Sequence, residues 1–335
     1  MPELATLPAT LLTGFLGSGK TTLLRRALSS PALSDTAVII NEIGEIAIDH
    51  HLVDFVEGGV VELPGGCLCC AIREDLARTL RTLLDRRDTG EVRQFRRIVI
   101  ETTGLADPAP ILYTLGADPM LDHCLRLAGV VTVVDAIQGA DTIDRFAEAA
   151  RQAALADTLV ISKTDLAPLG PDLISRLDRV NDRASRVLAA AIGDPGAVLF
   201  AAGGRAAPSS PQSEPSPVHS HGIDAFAVSL GNGISRLEFA RALGELARTR
   251  GSDLLRVKGI VRFSDRPERP ALVQAAQHTM FAPEWLDAWP ADWPIDPVGG
   301  NRRSHLVFVV HEIPRAEVLA HFAFAGATLL TRHGG

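Results

Sequence analysis

The sequence predicts a doubly wound α/β domain built on a mostly parallel sheet, followed by a smaller α+β domain. Three observations carry that expectation. Through residues 1 to 202, short apolar runs alternate with helical patterns, as a parallel sheet covered on both faces requires. The first run ends in Gly14-Phe-Leu-Gly17-Ser18-Gly19-Lys20-Thr21, a complete G-x-x-x-x-G-K-[ST] match that leads straight into a helical pattern, which makes the fold a P-loop NTPase type. Beyond residue 222 the strands are grouped with two helices rather than alternating with them.

The strands expected in the first domain are Ala9 to Thr13, Ala37 to Asn41, Arg97 to Glu101, Gly129 to Val134, Thr158 to Ser162 and Ala197 to Ala201. Lys20 to Ser29 and Ile72 to Asp85 read as helices, the second placing Leu76, Leu80, Leu83 and Leu84 on one face. From Gly203 to Gly222 the text becomes GGRAAPSSPQSEPSPVHSHG, rich in Pro, Ser, Gly and Ala and without apolar periodicity, which is the composition of a linker. After it come strands at Asp224 to Leu230, Leu254 to Ser264, Ala271 to Phe281 and Ser304 to His311, with helices at Ser235 to Arg250 and Pro314 to Phe324. The expected division is therefore a first domain over 1–202, a linker over 203–222 and a second domain over 223–325.

Composition narrows the classes of function. With 335 residues, 46% of them hydrophobic and 22% charged, the chain is long enough for two packed domains and is not of disordered type. A formal net charge of −7 argues against a nucleic-acid partner. The longest apolar runs, such as Ala128 to Val134, fall far short of the roughly 20 residues of a membrane span. No basic residue precedes Lys20, so the charged start of a secretory signal is missing and a cytoplasmic location is expected. Four cysteines are present, and Cys67, Cys69 and Cys70 crowd into four positions, with Cys124 alone. Neighbours so close make poor disulfide partners, which turns attention to metal or redox chemistry.

The glycine-rich run is a phosphate site. Gly14, Gly17 and Gly19 let the backbone fold into a nest of N–H groups, Ser18 contributes its own, and the helix start adds a positive dipole end. Lys20 is placed to bridge the β- and γ-phosphates, Thr21 to hold Mg²⁺ and Thr22 to reach the α-phosphate. Only three of the 33 basic residues are lysines, Lys20, Lys163 and Lys258, and two of these fall in nucleotide-motif positions. The apolar run Arg97-Ile-Val-Ile-Glu101 delivers a carboxylate to the Mg²⁺ side of the phosphates, with Glu101 where Asp is more usual. Gly104, in the following Thr102-Thr103-Gly104, is placed to offer its N–H to the γ-phosphate as a sensor of hydrolysis. Ser162-Lys163-Thr164-Asp165 resembles the N-K-x-D guanine motif. Asp165 would accept from the ring imino and amino groups of guanine, favouring GTP over ATP, while Ser162 in place of Asn removes one amide and weakens discrimination.

Glu62-Leu-Pro-Gly-Gly-Cys67-Leu-Cys69-Cys70, preceded by Asn41-Glu42-Ile-Gly-Glu45, supplies three thiols on a Pro-Gly-Gly turn. They suit Zn²⁺, Co²⁺ or Cu⁺. A tetrahedral Zn²⁺ still needs a fourth ligand, for which Glu42, a water, His50, His51 and His123 remain open.

With GFLGSGKTTLL, NEIGEIAID, GGCLCC, IETTGLADPAPI, SKTD, LLRVKGIVRF and the segment from Met280 to His311 together, the sequence resembles the CobW-like family of metal-trafficking P-loop GTPases, in its YjiA-like branch. The resemblance covers essentially the whole chain. It implies GTP hydrolysis coupled to delivery of Zn²⁺ or Co²⁺ to a client metalloprotein, the metal being held by Cys67, Cys69 and Cys70. Many relatives carry a His-rich run near the domain junction, whereas only His219 and His221 stand here, which speaks against metal storage in the linker.

From these parts a coupled cycle is expected. GTP·Mg²⁺ orders the loops carrying Glu42, Glu45 and the thiols, and hydrolysis releases the ion. Leu105 follows Gly104 where some GTPases place a water-orienting Gln, so slow intrinsic turnover is expected. The rival reading is a nucleotide-dependent regulatory or assembly factor whose thiols sense redox state or bind structural zinc. A homodimer is left open. Trp285, Trp289 and Trp293 read as packing of an irregular loop because Pro290 and Pro294 break any helix, and His278, His305, His311 and His321 read as structural.

Overall fold

The computed structural model describes residues 6–41, 60–62, 69–201, 221–231, 233–290, 293 and 302–330, with backbone alone described at 41, 60–62, 69–75 and 201. The chain divides into two compact units, Met1–Ile174 with Ala184–Gly204, and Ser175–Arg183 with Arg205–Gly335.

In the first unit the strands are β1 (Leu7–Thr13), β2 (Thr36–Asn41), β3 (Val60–Glu62), β4 (Arg97–Thr102), β5 (Leu125–Asp135), β6 (Thr158–Ser162) and β7 (Ser185–Leu188). They form one sheet in the order β3-β2-β4-β1-β5-β6-β7, and each pairing is parallel. The helices are α1 (Lys20–Leu28), α2 (Cys69–Asp88), α3 (Ala109–Ala117), α4 (Pro119–Cys124), α5 (Gly139–Arg145), α6 (Ala147–Ala154), α7 (Pro171–Asn181), which belongs to the second unit from Ser175 on, and α8 (Pro195–Ala201). Strand interiors are apolar because both faces are covered: Ile98, Val99 and Ile100 are fully buried. One face packs Leu12, Val38, Val99, Val131, Val133 and Val160 against Leu23, Leu24 and Ala27 of α1 and Leu199 of α8. Helix α2 buries Leu76, Leu80, Leu83 and Leu84, the face that the spacing predicts. Because β1 lies between β4 and β5, the carboxyl ends of the central strands open one crevice, the position at which doubly wound sheets bind ligands.

Two expectations for this unit need correction. Ala197 to Ala201 is not a strand but most of helix α8. Pro195 opens the helix, and the Asp194 carboxylate accepts from the Gly196 N–H at 2.9 Å. The Ser30 hydroxyl, joined by the N–H groups of Gly196 and Ala197, holds that carboxyl below the usual range. The last strand is instead Ser185–Leu188, an edge strand with no fully buried residue and hence no apolar signal.

The second unit is an antiparallel sheet in the order β11-β10-β9-β13-β8-β14, with β12 on β10. Its strands are β8 (Ile223–Leu230), β9 (Arg256–Val261), β10 (Ala271–Ala276), β11 (Thr279–Met280), β12 (Glu284–Trp285), β13 (Ser304–His311) and β14 (Thr328–Leu329), with helices α9 (Arg236–Arg250) and α10 (Arg315–His321). Phe239, Leu243 and Leu246 of α9 and Val318 of α10 share a core with Phe226, Val228, Leu306 and Phe308. The single strand expected from Ala271 to Phe281 is folded into a hairpin at Gln277, whose φ of 52° ends the ladder. Trp293 is buried with Ile260, Leu272 and Leu286, Trp289 packs at its side, and the Trp293 Nε1 donates to the Arg303 carbonyl at 2.9 Å, so these two tryptophans do pack a loop, whereas Trp285 lies in strand β12 and packs against the main core beside Phe263. His278 and His311 have structural partners, the Ala247 carbonyl at 2.8 Å and Asp253 at 3.2 Å.

The linker and its His219 lie outside the described residues, apart from His221 and Gly222, which form a turn before β8. Among the described residues no helix is long and apolar enough to cross a membrane.

Candidate functional site

The crevice at the carboxyl edge of the first sheet gathers most of the residues singled out in the sequence. Gly14, directly after β1, takes φ 142°, and a Cβ there would lie 2.3 Å from the Val133 carbonyl oxygen, so no other residue fits. Gly17 and Gly19 also take positive φ, 70° and 99°. The chain then turns into α1, whose first three residues are Lys20, Thr21 and Thr22. Lys20 is buried, and its ammonium lies back across the loop, donating to the carbonyls of Gly14 at 2.8 Å and Phe15 at 3.3 Å. The loop curls over the Lys20 ammonium ahead of a helix N-terminus, the setting in which phosphate oxygens are bound.

Register brings in the carboxylate. β4 pairs with β1 so that Glu101 stands opposite Leu12, and the Thr21 hydroxyl donates to Glu101 Oε1 at 3.1 Å. Glu101 is 4% exposed, a buried carboxylate held at the strand end. Next along the chain, Thr102 donates to Thr13 Oγ1 at 2.8 Å and so ties the two strand ends together. Gly104 rests directly on the phosphate loop: a Cβ there would be 2.6 Å from the Leu16 nitrogen and 2.8 Å from its Cα.

On the other side, β5 and β6 end level with one another, Asp135 opposite Ser162. Lys163 takes φ 56°, a left-handed conformation rare for a side chain with a Cβ, which turns its ammonium onto Asp135 Oδ2 at 2.5 Å. Asp135 Oδ1 also accepts from the Ile137 N–H at 2.8 Å, so the lysine's anchor is itself fixed. Asp165 is exposed beyond it. The Ser162 hydroxyl donates to the Ser18 carbonyl at 2.5 Å, strapping the candidate base loop to the phosphate loop. A serine therefore makes a tie between the two loops at the position where N-K-x-D has asparagine.

Three participants escape a reading of the sequence. Asp135 had a signal, an acidic residue ending a long apolar run. Ser162 stood inside a motif but was read only as a lost amide. Gln152 had none, and it is 1% exposed with its Nε2 donating to the carbonyls of Gly104 and Ala106.

The thiol assignment falls largely elsewhere. Cys67, Glu42, Glu45, His50 and His51 lie outside the described residues, as do the side chains of Cys69 and Cys70, the first two residues of α2. The described ends of these segments are nonetheless informative. Parallel pairing sets Asn41 opposite Thr102 and Glu62 opposite Ile40, so β2 and β3 both end on the side of the sheet that carries Glu101. The His123 Nδ1–H donates to the Pro119 carbonyl, 2.6 Å away, on α4. Among the described residues no group of three His, Cys, Asp or Glu side chains is placed to hold a metal.

Comparison with known proteins follows the same division of the chain. Residues 8–188 match the family described as CobW/HypB/UreG, nucleotide-binding domain. The chain belongs to this CobW family. Residues 223–325 match the cobalamin synthesis protein cobW C-terminal domain. It is 34% identical over 322 residues to the zinc chaperone YjiA of Escherichia coli strain K12, covering 94% of this chain and 97% of YjiA. It is 30% identical to the zinc chaperone CobW of a Sinorhizobium species over 94% of this chain and 96% of that protein. Among solved structures, Zn(II)-bound YjiA GTPase from E. coli matches with a TM-score of 0.66 at 30% identity, covering 96% of this chain and 99% of the other.

Proposed function

We propose that this CobW-family chain is a GTPase metallochaperone that binds Zn²⁺ through Cys67, Cys69 and Cys70 and passes it to a client metalloprotein. It hydrolyses GTP to GDP and phosphate. The observation that carries the reading is the assembly at one sheet edge of Lys20, the Thr21–Glu101 pair and the Ser162-strapped Lys163 loop, within a chain matching zinc chaperones over nearly its full length.

Lys20 and the backbone N–H groups of residues 14–19 bind the β- and γ-phosphates, and Asp165 selects guanine. The Thr21 hydroxyl and the Glu101 carboxylate meet at 3.1 Å and form a hard-oxygen pair that fits Mg²⁺. When bound there, Mg²⁺ neutralises phosphate charge. Gly104 reads the γ-phosphate by its N–H. Leu105, 53% exposed, brings no polar group to the attacking water, so intrinsic turnover is slow and a client or the loaded metal site completes it.

β2 and β3, the strands that precede Glu42 and Cys67 in the sequence, end on the side of the sheet where Glu101 stands, which supports coupling between nucleotide and metal. Zn²⁺ is cargo, and linkage makes the effect reciprocal: GTP tightens zinc binding by the factor with which zinc tightens GTP binding. The reaction belongs to the cytoplasm, where thiols stay reduced.

Anaerobic zinc titration with a nonhydrolysable GTP analogue, with GDP and without nucleotide tests this reading in wild type and in Cys67→Ala, Cys69→Ala and Cys70→Ala. Tighter zinc binding with the GTP analogue, lost in the cysteine variants, is expected. Equal affinity in all three nucleotide states would overturn the coupling.

A further inference from the structure

Gln152 sits in α6 beside Ala149, Ala150, Ala153 and Ala154, the one polar residue of a buried small-residue face. Its carboxamide donates twice, to the carbonyl of Gly104 at 3.1 Å and to that of Ala106 at 3.0 Å. A side-chain amide has two N–H donors, and both are spent on one loop. The flipped amide would set its oxygen against two carbonyl oxygens, so the orientation is fixed by chemistry. Oε1 is buried and has no hydrogen-bond partner, an arrangement that a glutamine kept for packing alone would avoid. The position uses the donor end.

The consequence reaches Gly104 through the backbone. Ala106, held by Gln152, donates its own N–H to the Thr103 carbonyl at 3.1 Å. That carbonyl belongs to the same peptide plane as the Gly104 N–H, and a planar peptide cannot turn one end without the other. Gln152 thereby fixes the direction in which the Gly104 N–H points. Helix α6 is a firm base for this hold. The Thr132 hydroxyl on β5 donates to the Gln152 carbonyl at 2.7 Å, and Arg151 pairs with Asp107 at 2.9 Å at the far end of the loop.

We propose that Gln152 is the positioning residue of the γ-phosphate sensor, acting through the carbonyls of Gly104 and Ala106 to aim the Gly104 N–H. The proposal deepens the GTPase reading and rests on it. Without the two donors the loop is free to rotate this peptide, which weakens recognition of the triphosphate and leaves the diphosphate contacts of residues 14–22 alone.

The test uses the full chain with fluorescently labelled GDP and β,γ-imido-GTP, and single-turnover GTP hydrolysis. Gln152→Leu removes both donors, and Gln152→Glu keeps the length while turning donor into acceptor. Each is expected to weaken β,γ-imido-GTP binding by about fivefold or more, the loss of two neutral hydrogen bonds, while GDP affinity stays within about twofold. Single-turnover hydrolysis falls with it. Leu199→Ala, which opens a cavity beneath α8 and leaves the hold on the loop intact, lowers the melting temperature and leaves the ratio of the two affinities unchanged. An unaltered ratio in Gln152→Glu, or an equal loss for both nucleotides, overturns the proposal. Wild-type protein that binds neither nucleotide would refute the GTPase reading itself, before any variant is compared.

Discussion

Replacing Gly104 with alanine separates recognition of GTP from that of GDP by a distance the structure supplies. The new Cβ would stand 2.6 Å from the Leu16 nitrogen and 2.8 Å from its Cα, where ordinary contact begins at 3.4 Å. Both opposing atoms are backbone, so neither yields as a side chain would, and the Gly104 segment has to withdraw by about 0.8 Å, the shortfall at the nitrogen. A hydrogen bond of about 2.9 Å drawn out by that amount leaves the bonding range. Loss of a bond to a charged acceptor costs about 1.5–3 kcal/mol, which is about 10- to 150-fold in affinity for a γ-phosphate-bearing nucleotide. GDP lacks the group that Gly104 addresses and should bind Gly104→Ala as it binds wild type. Titrating both proteins with labelled GDP and β,γ-imido-GTP reads the two constants directly. Unchanged affinity for the GTP analogue would show that Gly104 does not face the γ-phosphate, and the sensing role would have to be given up.

Glu101→Gln keeps the hydrogen bond to Thr21 and removes the charge, so the Mg²⁺ concentration that half-saturates GTP hydrolysis should rise by about tenfold; an unshifted Mg²⁺ dependence would disqualify the Thr21–Glu101 pair as the ion's holder. Ser162→Ala cuts the tie to the Ser18 carbonyl, worth about 1 kcal/mol, and should weaken GDP and GTP alike by about fivefold, with a selective effect on one of them counting against the strap. Burial, with the nearby Arg303 charge adding to it, pushes the His305 imidazole down to about 4 from an ordinary 6.5. The folded unit thus holds His305 neutral while the unfolded chain takes up a proton below pH 6.5. Stability is whole above that pH and falls between 6.5 and 4 by about 3 kcal/mol. All three tryptophans of the chain, Trp285, Trp289 and Trp293, lie in this unit, so denaturant unfolding followed by their fluorescence isolates it. His305→Phe should flatten the acid slope, and equal slopes in the two proteins would refute the assignment.

How far these features could be read from residues alone depends on how local their cause is. Gly14 to Thr22 is legible because a glycine's conformational freedom, a lysine and a hydroxyl act within nine consecutive positions, and the positive φ values fall where the motif puts them. Glu101 is legible for a similar reason, since an apolar run ending in a carboxylate has few other uses beside a P-loop. The exchange of strand and helix between residues 185 and 201 shows the opposite case. Ser-Arg-Val-Leu at an edge has no buried face to impose alternation, whereas Gly-Ala-Val-Leu-Phe looks like a strand until Asp194 and Pro195 are recognised as a helix start. Gln152 lies beyond such reading, because its two partners are 48 and 46 residues away and nothing in Ala-Arg-Gln-Ala-Ala distinguishes an exposed amide from a buried one.

That difference bears on how nucleotide state can reach the rest of the chain. The local motif can bind phosphate by itself, but a bound γ-phosphate is informative only if some segment answers to its presence. The loop at Gly104 is held from two sides, by Leu16 beneath and by Gln152 from α6, and β2 and β3, which precede Glu42 and Cys67 in the sequence, end on the same side of the sheet, one strand and two strands from β4. A sensor fixed this firmly can transmit a change only as a discrete shift of the loop against its neighbours, since packed backbone does not deform by degrees. Zinc affinity should therefore step between two values as GTP is hydrolysed, and loosening Gln152 should narrow the step without altering the thiols.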